Sequence, residues 1–358
     1  MRILQVTTRY PPHTGGVETH VAELAEGLVD RGHEVTVLTA DARSADAPRR
    51  ERRDGVRVVR HRGVAPGGAF HVAPGIVKSA RESDADVVHA HNYHSLPLFF
   101  ATLGNERGPE LPLVATPHYH GTSASGFRDR LLSVYRPLGG WALGRADSVV
   151  AVSDWERQQL RRDFGVDARE IPNGLDVGRF SDATPASRDR PYLLSVGRLE
   201  AYKGVQHVIR SLSELPDYDL VVAGSGPYAD DLQRVARDAG VADRVDFRGY
   251  VADEDLPGLY AGAAGFVTLS GFEAYGMTVA EALAAGTPCV VREAGALVDW
   301  VERDDVVGVA DGDEREPRAV ADAVRKAVGR DAPSEPLPTW EDVVEDVEAV
   351  YESVVSTR

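Results

Sequence analysis

Lysine is nearly missing from this chain of 358 residues: it stands at Lys78, Lys203 and Lys326, and arginine supplies the rest of the 40 basic residues. Cysteine is scarcer still. With Cys289 alone, an intrachain disulfide and a cysteine-based metal cluster are both excluded, and its apolar setting reads as core. No run of 18 apolar residues occurs, so no segment reads as a membrane-spanning helix. Internal repeats and low-complexity tracts are also lacking. Acidic residues outnumber basic ones by 56 to 40, a net charge of −16, and no basic stripe is present, which argues against a nucleic-acid partner.

What is present is a globular chain, 43% hydrophobic, with charge weighted toward acid and arginine. That balance fits a salt-adapted, halophilic cytoplasm, although arginine excess also follows from a GC-rich genome. Near 1 M salt the Debye length falls to about 3 Å, so long-range steering of an anionic ligand vanishes and cations must act by contact. The chain opens on a strand-like run, Ile3 to Thr7, so no cleaved leader is expected and the expected location is the cytoplasm, either in solution or at the cytoplasmic face of the membrane.

At 358 residues the chain suits two domains of roughly 170 to 180 residues each. Strand and helix signals alternate throughout, as in α/β proteins with two doubly wound parallel sheets. The first half reads as strand Ile3–Thr7, helix Val17–Asp30, strand Glu34–Thr39, and strands near Arg57, Val87, Leu113 and Ser148. The second begins at Tyr192 and continues through Leu220, Val245, Phe266 and Cys289. A polar, Pro-containing stretch separates them. The expected boundaries are an N-terminal domain at 1–180, a linker at 181–191, a C-terminal domain at 192–338 and a final helical segment at 339–358. The loop from Asp41 to Asp54 reads as polar, charged and mobile.

The densest chemistry lies in two segments of the second half. Gly265 to Ser270 has the composition of a buried strand, and Met277 to Ala285 has helical spacing that stops at Gly286, so Glu273 falls in the loop between them. Gly276 permits close backbone approach, and the amides of Met277 and Thr278 open a helix, where unpaired N–H groups favour an anion such as phosphate. Glu281 sits little more than one turn further on. A carboxylate that accepts two hydroxyl hydrogen bonds suits a sugar and repels phosphate, so Glu273 and Glu281 should bracket a diphosphate rather than touch it. The cations come from Gly197-Arg198-Leu-Glu-Ala-Tyr-Lys203-Gly204, which follows the strand Tyr192–Val196. Arg198 grips phosphate oxygens in two-point fashion and Lys203 acts as a compact charge.

Three places in the first half add candidates. Gly15 and Gly16 follow the first strand and precede a helix with Glu18 in its first turn, either a phosphate-approach turn or a plain strand–helix turn. His89 and His91 follow the strand at Val87, with one of them facing the open end of the sheet. His-x-His also invites a metal reading, but no third or fourth ligand lies nearby in sequence, so no metal is expected. His118 and His120 follow the strand at Leu113.

Glu273-Ala-Tyr-Gly-Met-Thr-Val-Ala-Glu281 resembles the E-x7-E signature of the retaining glycosyltransferases of group 1, also called glycosyltransferase family 4. Val196-Gly-Arg-Leu-Glu-Ala-Tyr-Lys-Gly204 is similar to the same family's G-R-x(4)-K-G segment. Gly15-Gly16-Val-Glu18, His89-Ala-His91, Pro172-Asn-Gly-Leu-Asp176 and Ala223-Gly-Ser-Gly-Pro227 fall in the family's order, so the resemblance spans nearly the whole chain. It implies a GT-B fold: two Rossmann-like domains facing across a cleft, with the last helix returning to the N-terminal domain. It also implies transfer of a hexose from a GDP- or UDP-linked sugar to an acceptor hydroxyl with retention of configuration, by a front-face route and without cofactor or metal.

By the same resemblance, His118 contacts the donor sugar, with His120 as the competing residue. Arg198, Lys203 and Glu273 join His118 as the catalytic set. Gly16, Gly276, Met277, Thr278 and Glu281 complete the nucleotide-sugar site, and Gly15 and His91 lie on the acceptor side. The acceptor itself, a glycan, a lipid-linked sugar or a small molecule, is not specified. Arg128 to Arg136 carries an apolar face flanked by arginines, read either as a plain surface helix or as a peripheral membrane contact.

The chain departs from the family pattern at Arg292-Glu-Ala-Gly-Ala-Leu297, where a Gly-Gly pair and a Glu are usual. Other readings remain open. A nucleotide-sugar 2-epimerase or hydrolase would share the diphosphate site, a glycosidase would use two carboxylates as acid and base, and a non-catalytic sugar-nucleotide-binding subunit would keep the pocket alone.

Overall fold

A computed structural model describes residues 1–42, 46–66, 70–121, 126–330 and 335–357, with the side chains of 126–129 left out. The chain forms two compact units, Met1–Gly174 with Pro338–Arg358, and Leu175–Leu337. The division falls at Gly174, ahead of the expected linker. Segment 181–191 belongs to the second unit, where the Ala186 amide donates to the Gly258 carbonyl at 2.8 Å.

The first unit runs β1 (Arg2–Val6), α1 (Gly16–Asp30), β2 (Glu34–Thr39), β3 (Arg50–Arg53), β4 (Val56–Arg60), α2 (Gly75–Arg81) and β5 (Val87–His91). It continues with α3 (Pro97–Glu106), β6 (Leu113–Thr116), α4 (Gly126–Leu143), β7 (Ser148–Ala151), α5 (Asp154–Phe164) and β8 (Arg169–Glu170). The eight strands form one sheet in the order β3-β4-β2-β1-β5-β6-β7-β8. β1, β5 and β6 are almost wholly buried, as expected of parallel strands covered on both faces. On α1 the apolar residues Val21, Leu24, Ala25 and Leu28 repeat at helical spacing and are buried.

One edge departs from the reading of Asp41 to Asp54 as a mobile loop. Residues 43–45 lie outside the described residues, but Arg50–Arg53 is β3, paired antiparallel with β4. Asp54 and Gly55 make the hairpin with φ of 46° and 79°, the positive pair that a two-residue turn demands. Buried Arg60 ties the edge down, bonding Asp41 at 2.8 Å and Glu51 at 2.6 Å.

The second unit runs α6 (Val177–Ser181), β9 (Tyr192–Val196), α7 (Val205–Ser211), β10 (Asp219–Ala223), α8 (Ala229–Asp238), β11 (Val245–Gly249) and α9 (Leu256–Ala261). It continues with β12 (Gly265–Thr268), α10 (Met277–Ala284), β13 (Cys289–Arg292), α11 (Leu297–Trp300), β14 (Val306–Val309) and α12 (Pro317–Ala327). Its six strands are all parallel, in the order β11-β10-β9-β12-β13-β14. Cys289 is fully buried in β13.

The last helix, α13 (Trp340–Ser356), belongs to the first unit. Thr339 and Asp342 cap its start reciprocally, and Val343, Val347, Val350 and Tyr351 join Leu24 and Leu28 of α1 in one cluster. Gly174 faces this helix so closely that a Cβ there would lie 2.7 Å from the Trp340 backbone.

Strand order locates the candidate residues. In the first sheet the order turns back between β1 and β5, and in the second between β9 and β12. At such a switch point the loops leaving adjacent strands diverge and leave a crevice at the carboxyl ends. The glycines after β1, His91 of β5, the Arg198–Lys203 loop after β9 and the Glu273 loop after β12 all sit at these points.

Candidate functional site

In the second unit the fold brings Lys203 and Glu273 together across 70 residues of sequence: Lys203 Nζ donates to Glu273 Oε1 at 2.6 Å. Lys203 closes a short 3₁₀ turn, Ala201–Lys203, after β9, and Gly204 follows with φ of 75°. Burial works against the ammonium, but the Glu273 carboxylate outweighs it and the Lys203 pKa ends above its ordinary value. The lysine therefore stays charged. A small pocket beside it is lined by Gly197, Arg198, Lys203 and Thr268.

Glu273 is fixed from behind. Its carbonyl accepts from the Ala296 amide at 3.0 Å, and Gly295, with φ of 59°, packs against its backbone. The segment in which this chain departs from the family pattern thus holds the Glu273 loop. Trp300 Nε1 adds a bond to the Tyr275 carbonyl at 2.6 Å.

α10 begins at Gly276, whose φ of 103° turns the chain into the helix. The first bonds back to the Gly276 carbonyl come from Val279 and Ala280, so the amides of Met277 and Thr278 precede the intrahelical ladder. Glu281 lies one turn along and is partly buried. Tyr260 Oη donates to Glu281 Oε2 at 2.6 Å. Burial raises the Glu281 pKa to about 7, against the opposing pull of the Tyr260 bond and of Arg179.

In the first unit Gly15 and Gly16 lead into α1, and the Glu18 side chain folds back over Gly15. Burial raises the Glu18 pKa, partly offset by a hydrogen bond from its own backbone amide. A carboxylate therefore lies at the turn where phosphate approach was expected.

His89 and His91 do not follow the strand but belong to β5, and as residues two apart they share one face of the sheet. Both are fully buried. His89 is satisfied on both nitrogens, by Tyr351 Oη at 2.6 Å and Thr116 Oγ1 at 2.8 Å. His118 and His120 go to different neighbours. His120 stacks on His94 at 3.8 Å between ring centroids. His118, held at φ of 48°, lies 4.8 Å from the His20 ring and 6.0 Å from the His91 ring.

The sequence showed no third or fourth ligand beside His89 and His91, whereas the fold brings one ring nitrogen from each of His20, His91 and His118 within 4.8 Å of the other two. Sequence reasoning passed over His20, yet it occupies the buried stripe of α1 with Leu24 and Leu28, an unusual place for an imidazole. It also passed over Tyr260, which no motif marks, and Glu156. The buried Glu156 carboxylate accepts from the amides of Tyr119 and Val152, the latter at 2.7 Å, and so braces the turn that carries His118.

Comparison with known proteins bears on the family and the fold. Residues 14–179 match the Glycosyltransferase Family 4 model and residues 177–334 the Glycosyl transferases group 1 model. The chain is 31% identical over 350 residues to the GDP-mannose-dependent alpha-(1-6)-phosphatidylinositol monomannoside mannosyltransferase of Mycolicibacterium smegmatis, covering 91% of this chain and 88% of that protein. It is also 31% identical over 336 residues to a glycogen synthase of Mycobacterium tuberculosis, covering 84% and 80%. Sucrose-phosphate synthase from Thermosynechococcus elongatus matches with a TM-score of 0.81 at 20% identity, covering 100% of both chains. The fold is that of the GT-B glycosyltransferases. The chain belongs to the group 1, family 4 glycosyltransferases.

Proposed function

We propose that this glycosyltransferase moves a hexose from a GDP- or UDP-linked sugar to an acceptor hydroxyl with retention of anomeric configuration. The observation that carries the reading is the Lys203–Glu273 pair beside the Arg198 pocket. An ammonium has three N–H donors and the bond to Glu273 uses one, so Lys203 can grip a phosphate without leaving its carboxylate. Glu273 in turn keeps acceptor sites for sugar hydroxyls. One pair thus recognises both halves of a sugar diphosphate.

As the bond from the anomeric carbon to the diphosphate breaks, charge grows on the phosphate oxygens. Arg198, Lys203 and the amides of Met277 and Thr278 stabilise it. The acceptor oxygen bonds the anomeric carbon on the same face, and the departing phosphate oxygen takes its proton. Glu281, steadied by Tyr260, receives the diol of the ribose. Gly16 approaches the diphosphate, His118 bonds a donor-sugar hydroxyl, and Gly15 and His91 serve the acceptor side. No cofactor is required.

GDP-mannose is the first donor to test, since the mycobacterial relative is named for it. The acceptor is a glycan, a lipid-linked sugar or a small molecule. A peripheral membrane contact, at the cytoplasmic face, is supported by α4, where Val134 and Leu138 are 77% and 44% exposed. Arg128 contributes nothing to this, its side chain lying outside the described residues. No described helix is long and apolar enough to cross a membrane. The net charge of −16 supports salt adaptation.

The test is transfer from a panel of GDP- and UDP-sugars to simple glycoside and polyprenyl-linked acceptors, with the product's anomeric configuration read by proton NMR. An axial donor linkage preserved in the product supports the proposal. Inverted product, or hydrolysis alone with every acceptor, contradicts it.

A further inference from the structure

We infer that His20, His91 and His118 form a binding site for one divalent cation of the zinc type. Each imidazole comes from a different element: His20 from the buried stripe of α1, His91 from the end of β5, and His118 from the turn after β6. All three are buried, at 4%, 0% and 6% exposure. Such nitrogens ordinarily find partners, because an unpaired buried polar atom is costly. Here His20 Nδ1, both nitrogens of His91 and His118 Nε2 have none among the described residues. Each of the three rings carries a buried nitrogen without a partner, and one nitrogen from each ring lies within 4.8 Å of the other two, an unmet demand for a ligand.

The demand is for a cation. A neutral imidazole presents a lone pair, the form that binds metal, and three such rings meet here. No carboxylate belongs to the cluster, and an all-imidazole set favours zinc, copper or nickel over magnesium or calcium. Three nitrogens within 4.8 Å of one another need to close to about 3.4 Å for bonds of roughly 2.0–2.1 Å. The His89 ring lies 4.0 Å from that of His91, tilted by 37°, with both its nitrogens already bonded, and it supports the ring without being a ligand.

Three protein ligands leave a fourth position for water. The site rests in one respect on the proposed function. If His118 bonds the donor sugar, the cation and the sugar compete for it, so zinc opposes turnover rather than assisting it.

The test uses the full-length chain, free of any affinity tag and stripped with a chelator. Titration with Co²⁺ alone is expected to give the visible absorption of four-coordinate cobalt at one ion per chain, displaced by Zn²⁺. His20→Gln and His91→Ala are expected to weaken Zn²⁺ at least about tenfold, as loss of a direct ligand should exceed the effect of a supporting residue. His207→Ala, in the other unit, is expected to bind as before. No such spectrum with the wild-type chain, or equal Zn²⁺ affinity in both variants, overturns the site without reference to how the variants fold. Donor titration with and without Zn²⁺ separates the two readings. The cobalt spectrum with weakened nucleotide-sugar binding supports both, the spectrum with unchanged donor affinity keeps the cation site and removes His118 from the sugar, and a missing spectrum leaves the donor site standing.

Discussion

Lys203 and Glu273 hold each other at 2.6 Å, so removing either one leaves the other exposed to a different failure. Lys203→Ala deletes the cation proposed to grip phosphate and strands a half-buried carboxylate. We expect donor affinity or turnover to fall at least about tenfold while the circular dichroism spectrum is unchanged, the scale of one charge-assisted hydrogen bond. Glu281 makes a separate, pH-dependent prediction. Its pKa, raised by burial to about 7, keeps it protonated in mildly acid solution and a pure acceptor above that. Donor affinity should climb between about pH 6 and about pH 8, and Glu281→Gln should flatten the rise. The stability effect has the opposite sign. The fold favours protonated Glu281, so its contribution is full below the ordinary carboxyl pKa and is lost as pH rises through about 7. At this scale the sequence made Arg198, Lys203, Glu273 and Glu281 readable as candidates because they fall in short, spaced segments. Tyr260, Gly295 and His20 escaped because each matters only through a partner that the fold brings from elsewhere.

Among the elements, the strands read most clearly from sequence were the buried parallel ones. β2 and β9 match their expected bounds because an apolar run between turn residues has few other uses. β3 was unreadable for the converse reason: Arg-Glu-Arg-Arg is all charge, and its place in the sheet depends on Arg60 and the Asp54-Gly55 turn. Removing one partner of a buried ion pair typically costs about 3–5 kcal/mol. Arg60→Ala, which leaves Asp41 buried without its guanidinium, is expected to lower unfolding free energy by that amount in a denaturant titration. A change under about 1 kcal/mol would show that the edge is held by the hairpin alone. Gly174 makes a sharper demand. With the Trp340 backbone 2.7 Å from any added Cβ, Gly174→Ala should loosen α13 and expose its amides to hydrogen exchange while those of β9 to β13 stay protected.

At the scale of the whole molecule, acid sensitivity among the described residues is weighted toward the first unit. Burial depresses the pKa values of His20, His89, His91, His94 and His118, all in the first unit. A histidine kept neutral by the fold contributes stability that is full above the unfolded pKa of about 6.5 and is lost as pH falls toward the folded value. Thermal midpoints should therefore drop steeply between about pH 6.5 and about pH 4, with proton uptake on unfolding. A flat profile there would mean that these rings are already charged in the folded protein. Two domains with alternating strands and helices were legible from length and periodicity. The exact division was not, because Gly174 and Leu175 lie in the irregular stretch between β8 and α6 with no change of composition to mark it.

The central claim is that the loops after β9 and β12 hold a sugar diphosphate. Calorimetric titration of the wild-type chain, Lys203→Ala and Glu273→Gln with the best nucleotide sugar and with its bare nucleoside diphosphate tests it most directly. The account predicts that Lys203→Ala weakens both ligands, whereas Glu273→Gln weakens the sugar nucleotide more than the diphosphate. Equal affinities across all three proteins would contradict it.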